Sequence, residues 1–157
     1  MQAMSFHYET PLVDQSELAQ ARAVMGAGMA RILGYFREDG ARSIRAIEEA
    51  FTQGNAAAMV IPAHTLKGES LQFGARRLGG IAESIEQTAR RCVEQRLAPS
   101  EVGGEVAMLR GCFNETLALL ESAAPPSGTP RPPMPGAAGT RPVTFGTAPR
   151  TFGRRTG

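Results

Sequence analysis

Apolar residues recur at intervals of three and four over most of the chain, which is the period of an amphipathic α-helix. The longest run predicts a helix over 29–52, and further stripes predict helices over 55–73, 75–96 and 102–122. A shorter helix is predicted to begin at Asp14 or Ser16, either of which is a good N-cap, and to stop at Gly26. The pattern therefore predicts a chain made of helices.

Pro62 falls inside the second of the long helices. A proline there removes one backbone hydrogen bond and kinks the helix axis, whereas at a first helical turn it would be favourable. We expect one continuous, kinked helix, because residues 55–61 are themselves strongly helix-forming.

Long helices joined by short turns run antiparallel to one another. The predicted fold class is therefore all-α, an up-down antiparallel four-helix bundle with a short N-terminal helix lying across one end as a lid. The composition agrees with this, because tryptophan is absent and only 6% of residues are aromatic.

Changes in composition divide the chain into three segments. We expect residues 1–13 to be a flexible lead-in, 14–124 the helical bundle, and 125–157 a disordered tail rich in proline, glycine and arginine. Residues 1–124 hold 12 basic and 15 acidic residues, a net charge of −3, while the tail holds five arginines and no acid. A mildly acidic bundle argues against nucleic-acid binding, which normally needs a basic face.

The chain shows no sign of secretion or of membrane insertion. Its N-terminus has no basic region followed by an apolar stretch, and no apolar run approaches the roughly 18 residues that span a bilayer. The two cysteines, Cys92 and Cys112, are too few for a disulfide framework. We therefore expect a soluble, cytoplasmic protein that does not interact with membranes.

The residues with candidate chemistry lie in the middle of the second long helix. At helical spacing His64 points away from the apolar face formed by Met59, Ala63 and Leu66, toward solvent. Lys67, the only lysine of the chain, lies at i+3 from His64, and Gly68 lies at i+4. A compact ammonium on a flexible stem is a good partner for a phosphoryl group.

The run His64-Thr65-Leu66-Lys67-Gly68, closed by Phe73-Gly74-Ala75, resembles the signature of the histidine-containing phosphotransfer (HPt) family of two-component phosphorelays. The resemblance implies that His64 is phosphorylated, that Lys67 steadies the phosphoryl group and that Gly68 admits the partner's active site. Glu69 departs from the family pattern, which usually has serine at this position, and it brings a carboxylate close to the site.

The same resemblance implies the partners. They are response-regulator receiver domains and an upstream, hybrid histidine kinase, with Mg²⁺ supplied by the receiver and no cofactor bound by this chain. Val60 and Leu71 flank His64 at i−4 and i+7, so together with Thr65 and Gly68 they are candidate partner-binding residues. A plainer interpretation is that Val60 and Leu71 only cover the edge of the bundle.

Other functions find less support in the sequence. The chain has two histidines and no ligand pair with the spacing of a bundle metal site, so we expect no metal. It has no glycine-rich phosphate loop, so we expect that it cannot phosphorylate itself from ATP. The resemblance then implies a phosphoryl carrier without a kinase domain, and not an enzyme. The alternative function is a helical adaptor that docks a receiver-like partner without carrying phosphate.

Overall fold

The structure, a computed structural model, describes residues 7–123. Within this range the chain forms helices and no strand. The elements are α1 (Gln15–Met25), a 3₁₀ turn (Gly26–Gly28), α2 (Met29–Thr52), α3 (Ala56–Leu71), α4 (Arg76–Gln95), a second 3₁₀ turn (Ser100–Val102) and α5 (Gly103–Ala123).

The long helices α2 to α5 form an antiparallel bundle. Helix α3 packs between α2 and α4, and α5 closes the ring by packing on α4 and α2, so that α3 and α5 lie diagonally opposite each other. This arrangement confirms the predicted fold class. The predicted disordered tail, residues 125–157, lies outside the described residues, and so does the start of the predicted lead-in.

Three phenylalanine rings join the helices at the centre of the core. The ring of Phe36 on α2 lies 5.3 Å from that of Phe73, which follows α3, and 5.5 Å from that of Phe113 on α5. Gly40 allows this packing, because a Cβ atom there would lie 2.6 Å from the Phe113 ring. The bundle therefore needs glycine at this turn of α2 for close helix contact.

Helix α1 lies against the turn between α3 and α4, as the lid interpretation predicted. Asp14 caps α1 by accepting hydrogen bonds from the amides of Ser16 and Glu17. The amide of Asp14 donates to the carbonyl of Gly74 at 2.8 Å, and Arg76 Nε donates to Glu17 Oε1 at 2.7 Å. One backbone hydrogen bond and one hydrogen bond between side chains therefore hold α1 against this turn.

Residues 7–13, which we expected to be part of a flexible lead-in, pack on the bundle. His7 and Val13 are buried. Arg77 of α4 donates from Nε to the carbonyl of Thr10 at 2.9 Å and from Nη2 to the carbonyl of Tyr8 at 3.1 Å. Contacts between one side chain and two carbonyls leave no hydrophobic period in the sequence, so the pattern did not indicate them.

Helix α3 runs without a break through Pro62, as expected. Asn55 caps it by accepting a hydrogen bond from the amide of Ala58 at 3.1 Å. Because proline has no N–H, the carbonyl of Ala58 lacks the donor that residue i+4 normally supplies.

No helix between residues 7 and 123 is long and apolar enough to cross a membrane.

Candidate functional site

His64 lies in the middle of α3 on the side that faces solvent. Its side chain is 63% exposed, while the neighbouring Ala63 and Leu66 are fully buried. The helix therefore presents the imidazole on a rigid element with its ring accessible to a partner.

Glu86 of α4 fixes the orientation of the imidazole. Its Oε2 atom lies 3.0 Å from His64 Nδ1, and its side chain is only 6% exposed. A carboxylate can only accept a hydrogen bond, so Nδ1 carries the proton. In the neutral imidazole the nitrogen with the free lone pair is then Nε2, which Glu86 does not contact.

Two cations share the same carboxylate. Lys67 Nζ lies 3.0 Å from Glu86 Oε1, and Arg90 donates to Oε2 from Nε at 3.1 Å and from Nη2 at 2.8 Å. Burial acts to raise the pKa of Glu86, but the hydrogen bonds from Arg90, Lys67 and His64 outweigh it and lower the pKa to about 2. Glu86 is therefore ionised at neutral pH.

This cluster carries more positive than negative charge beside His64. Lys67 and Arg90 contribute two positive charges against the single negative charge of Glu86. Both cations are partly exposed, with 25% and 56% of their side chains accessible. An anionic group on Nε2 would thus meet a net positive environment.

Gly68 and Thr65 lie on the exposed surface around the imidazole. A Cβ atom built on Gly68 would have no heavy atom within 4 Å, so the space beside His64 is open. Ser70, next to Glu69, is buried, and its hydroxyl donates to the carbonyl of Leu66 at 2.6 Å. It is therefore part of the helix packing rather than of the exposed site.

The two apolar residues predicted to bind the partner differ in exposure. Val60 is half-buried and packs against the core. Leu71 is 41% exposed and fills the space beside Gly79, where a Cβ atom would lie 2.6 Å from Leu71 Cδ2. Each side chain thus covers the bundle and still presents surface, and their partner-binding role stays a prediction.

The sequence interpretation missed Glu86 and Arg90, which both lie on α4. Glu86 contacts His64 although the two residues are 22 positions apart in the chain. One signal was present, because Glu86 lies four residues after Ala82 and three before Ala89, both of which are buried. A carboxylate at such a position must find partners. The interpretation also missed Ile61, a large apolar side chain that is 76% exposed one turn before His64.

Ile61 separates two depressions on the surface of α3. One, of about 390 Å³, lies toward α4 and is lined by Ala57, Val60, Ile61, Arg90, Val93 and Glu94. The other, of about 400 Å³, lies toward α2 and also includes Thr65 and Glu69.

Between residues 7 and 123 no cluster of three or more histidine, cysteine, aspartate or glutamate residues could hold a metal ion.

The arrangement of an exposed histidine on a four-helix bundle agrees with a comparison against protein families. The model of the Hpt domain matches residues 31–123, a range that includes His64, Lys67, Glu86 and Arg90. The chain belongs to the Hpt family. Proteins of this family are phosphoryl carriers of phosphorelays, which is the role that the resemblance in the sequence implied.

A solved structure supports the same relationship. The chain is similar to the histidine-containing phosphotransfer protein B (HptB) of Pseudomonas aeruginosa PAO1, with 27% sequence identity, a TM-score of 0.63, and 73% of this chain and 95% of that chain covered. A putative histidine-containing phosphotransfer protein from rice has 24% identity and a TM-score of 0.48, over 78% of this chain and 93% of that one. Among curated protein sequences the comparison finds no match.

Proposed function

We propose that this Hpt protein carries a phosphoryl group on His64 between receiver-domain aspartates of a two-component phosphorelay. The observation that supports this most directly is the contact between Glu86 and Nδ1 on an exposed side chain, because in the neutral imidazole it leaves Nε2 as the nitrogen with the free lone pair. A neutral imidazole nitrogen with a free lone pair is a nucleophile without further activation.

The transfer proceeds by exchange of one bond at phosphorus. The Nε2 lone pair forms an N–P bond, and the P–O bond to the donor aspartate breaks, which returns that aspartate as a carboxylate. Nδ1 keeps its proton throughout, because Glu86 holds it from the other side of the ring. The reverse exchange passes the group from Nε2 to the aspartate of a second receiver.

Lys67 and Arg90 stabilise the charge of the transferred group. Phosphoryl transfer depends mainly on positioning and on neutralising charge at the phosphoryl oxygens. By resemblance to the family, the Mg²⁺ that contributes to this neutralisation is bound by the receiver, and this chain supplies the histidine and the two cations. The donor is then a receiver domain attached to a histidine kinase, and the acceptor is a response regulator.

The open surface at Gly68 and Thr65 supports docking of a receiver over His64. Ile61, Val60 and Leu71 surround this opening with apolar area that a partner can cover.

Cys92 and Cys112 are both buried, free thiols, which fits a reducing compartment, and we place the reaction in the cytoplasm.

The experiment is phosphoryl transfer from receiver domains labelled with radioactive phosphate. The parent chain should become labelled, and the label should be acid-labile and base-stable, as phosphohistidine is. His64→Gln should keep its fold by circular dichroism and accept no label, while His7→Gln, the variant of the other histidine, should still be labelled. Phosphorus NMR should place the group on Nε2.

Each result has a clear meaning. Labelling that persists in His64→Gln would remove His64 from this role. A parent chain that binds receivers but accepts no label from any of them would favour the alternative function, a helical adaptor. A phosphoryl group on Nδ1 would contradict the orientation that Glu86 imposes.

A further inference from the structure

The groove between α2 and α3 has a chemical character that the transfer reaction does not use. It has a volume of about 400 Å³, and its floor is apolar, with Ala46, Ala58 and Pro62 among the lining residues. Ile61 and Thr65, which flank His64 on α3, also line this groove. A partner docked over His64 would therefore extend into this groove.

The groove is lined by two carboxylates and one guanidinium, besides the hydroxyls of Ser43 and Thr65. Glu69 and Asp39 each contribute a carboxylate, and the carbonyl of Ala58 lacks its helical donor because residue 62 is proline. Arg42 is the cation of this groove, and its Nη1 atom is already held by Asp39 Oδ1 at 2.8 Å. One negative charge, that of Glu69, is left without a counter-charge in direct contact among the described residues.

The surroundings of Glu69 favour an interaction between its negative charge and a cation of a docked partner. Its side chain is half-buried, and both burial and the neighbouring Asp39 raise the pKa of Glu69, while Arg42 opposes them. A carboxylate in such surroundings gains more from a new cation than a fully exposed one, because water screens it less.

We propose that this groove receives one lysine or arginine side chain of the docked receiver domain, which pairs with Glu69 and thereby selects among receivers. The apolar floor suits the methylene stem of such a side chain, and the acceptors suit its charged end. This inference rests on the proposed function, since it takes the partner at His64 to be a receiver.

The test uses the full chain and a receiver domain that labels His64 in the transfer assay. Binding of this receiver is measured by titration calorimetry at low and high salt for the parent, Glu69→Gln and Glu69→Lys. Glu115→Gln is the matched control, because Glu115 is exposed on α5, diagonally opposite α3. Circular dichroism checks that each variant is folded.

Glu69→Gln should raise the Kd about three- to tenfold and weaken its dependence on salt, Glu69→Lys should raise it further, and Glu115→Gln should leave it unchanged. Replacing single exposed lysines and arginines of the receiver by glutamate should restore binding to Glu69→Lys at one position. That rescue would identify the side chain that enters the groove.

Equal affinity of the parent and both Glu69 variants would overturn the inference while labelling of His64 still supports the proposed function. Tighter binding by Glu69→Gln would also overturn it, since the occupant would then be a segment that competes with the receiver, such as the arginine-containing C-terminal tail of this chain. A parent chain that no receiver labels would contradict the proposed function itself.

Discussion

Glu86 is the residue that connects the stability of the bundle with the chemistry of its surface. A buried carboxylate needs compensation for its lost hydration, and here the compensation comes from Lys67, Arg90 and His64. The three partners are the groups that the proposed transfer needs at the surface. The contacts of Glu86 with Lys67 and His64 therefore hold α3 to α4, and the contact with His64 also orients the imidazole.

The first prediction is that replacing Glu86 by glutamine makes stability less dependent on pH. The folded-state pKa of Glu86 is lowered from 4.5 to about 2, so its ionisation stabilises the fold above pH 4.5 and this contribution is lost as the pH falls toward 2. The shift corresponds to a stabilisation on the order of 3 kcal/mol at neutral pH. Urea unfolding of the parent and of Glu86→Gln between pH 2.5 and about 7 measures it.

The stability difference between the two proteins should shrink steadily as the pH falls below 4.5. Glu83→Gln, which changes an exposed glutamate on the same helix, should follow the parent over the whole range. A difference between the parent and Glu86→Gln that stayed constant with pH would show that Glu86 acts through packing rather than through its charge.

At the scale of the elements, Gly68 leaves open space on the surface of α3 and also lowers the helix propensity at this position. Gly68 is exposed, and a side chain there would meet no neighbour, so Gly68→Gln should stabilise the helix by about 0.5–1 kcal/mol. The same side chain should block the approach of a receiver and slow transfer to His64. Thermal unfolding and transfer kinetics measure the two effects separately.

The matched control for this change is Gly111→Gln, which also enters open space but lies on α5, diagonally opposite α3. It should give a similar gain in stability and leave the transfer rate unchanged. If Gly68→Gln transferred phosphoryl groups at the parental rate, the open space at this position would have no role in docking.

Gly74, in the turn between α3 and α4, should tolerate no side chain. Its φ angle is 75°, and a Cβ atom would lie 2.8 Å from Glu17 Cβ and 3.0 Å from the carbonyl oxygen of Asp14. Gly74→Ala should therefore lower the free energy of unfolding by about 1–3 kcal/mol. Gly34→Ala in α2, where a Cβ has open space, should instead raise it by about 0.5–1 kcal/mol.

Denaturant unfolding of these two alanine variants provides the comparison, because both make the same chemical change. A Gly74→Ala protein as stable as the parent would mean that α1 is not held tightly against this turn. The glycine of the Phe73-Gly74-Ala75 motif would then lack the structural reason that the contacts with α1 give it.

The sequence predicted the helices well because each has an apolar stripe whose period is a local property. Asp14 and Asn55 were recognisable as caps for the same reason. The residues around His64 were predicted only where they lie on its own helix. Glu86 reaches the imidazole through the packing of α4 on α3, and Arg90 contacts Glu86 on the same helix. A local pattern contains no information about which turns of two helices meet.

At the scale of the whole molecule, the charge is divided unevenly between the bundle and the C-terminal residues. Residues 1–124 have a net charge of −3, and residues 125–157 hold five arginines and no acid. In the sequence, the five arginines of residues 125–157 are therefore far from Lys67 and Arg90, the two cations beside His64. An acidic surface of a partner would attract these arginines.

The last prediction concerns deletion of residues 125–157. They have many prolines and glycines and few large apolar side chains, and from this composition we expect too little burial of apolar surface to offset the entropy of ordering. The truncated chain should therefore melt at nearly the same temperature as the full chain and still accept a phosphoryl group on His64. Calorimetry and transfer kinetics on both chains, at low and high salt, make the comparison.

Any effect of the deletion should appear in the affinity for a receiver and should weaken as salt is added, because the arginines would act through their charge, and ions screen that interaction. The five arginines carry the whole of this effect, so a full-length chain with these arginines replaced by glutamine should behave like the truncated one. A fall of several degrees in melting temperature on deletion would show instead that the C-terminal residues pack on the bundle, and the boundary near residue 124 would then be misplaced.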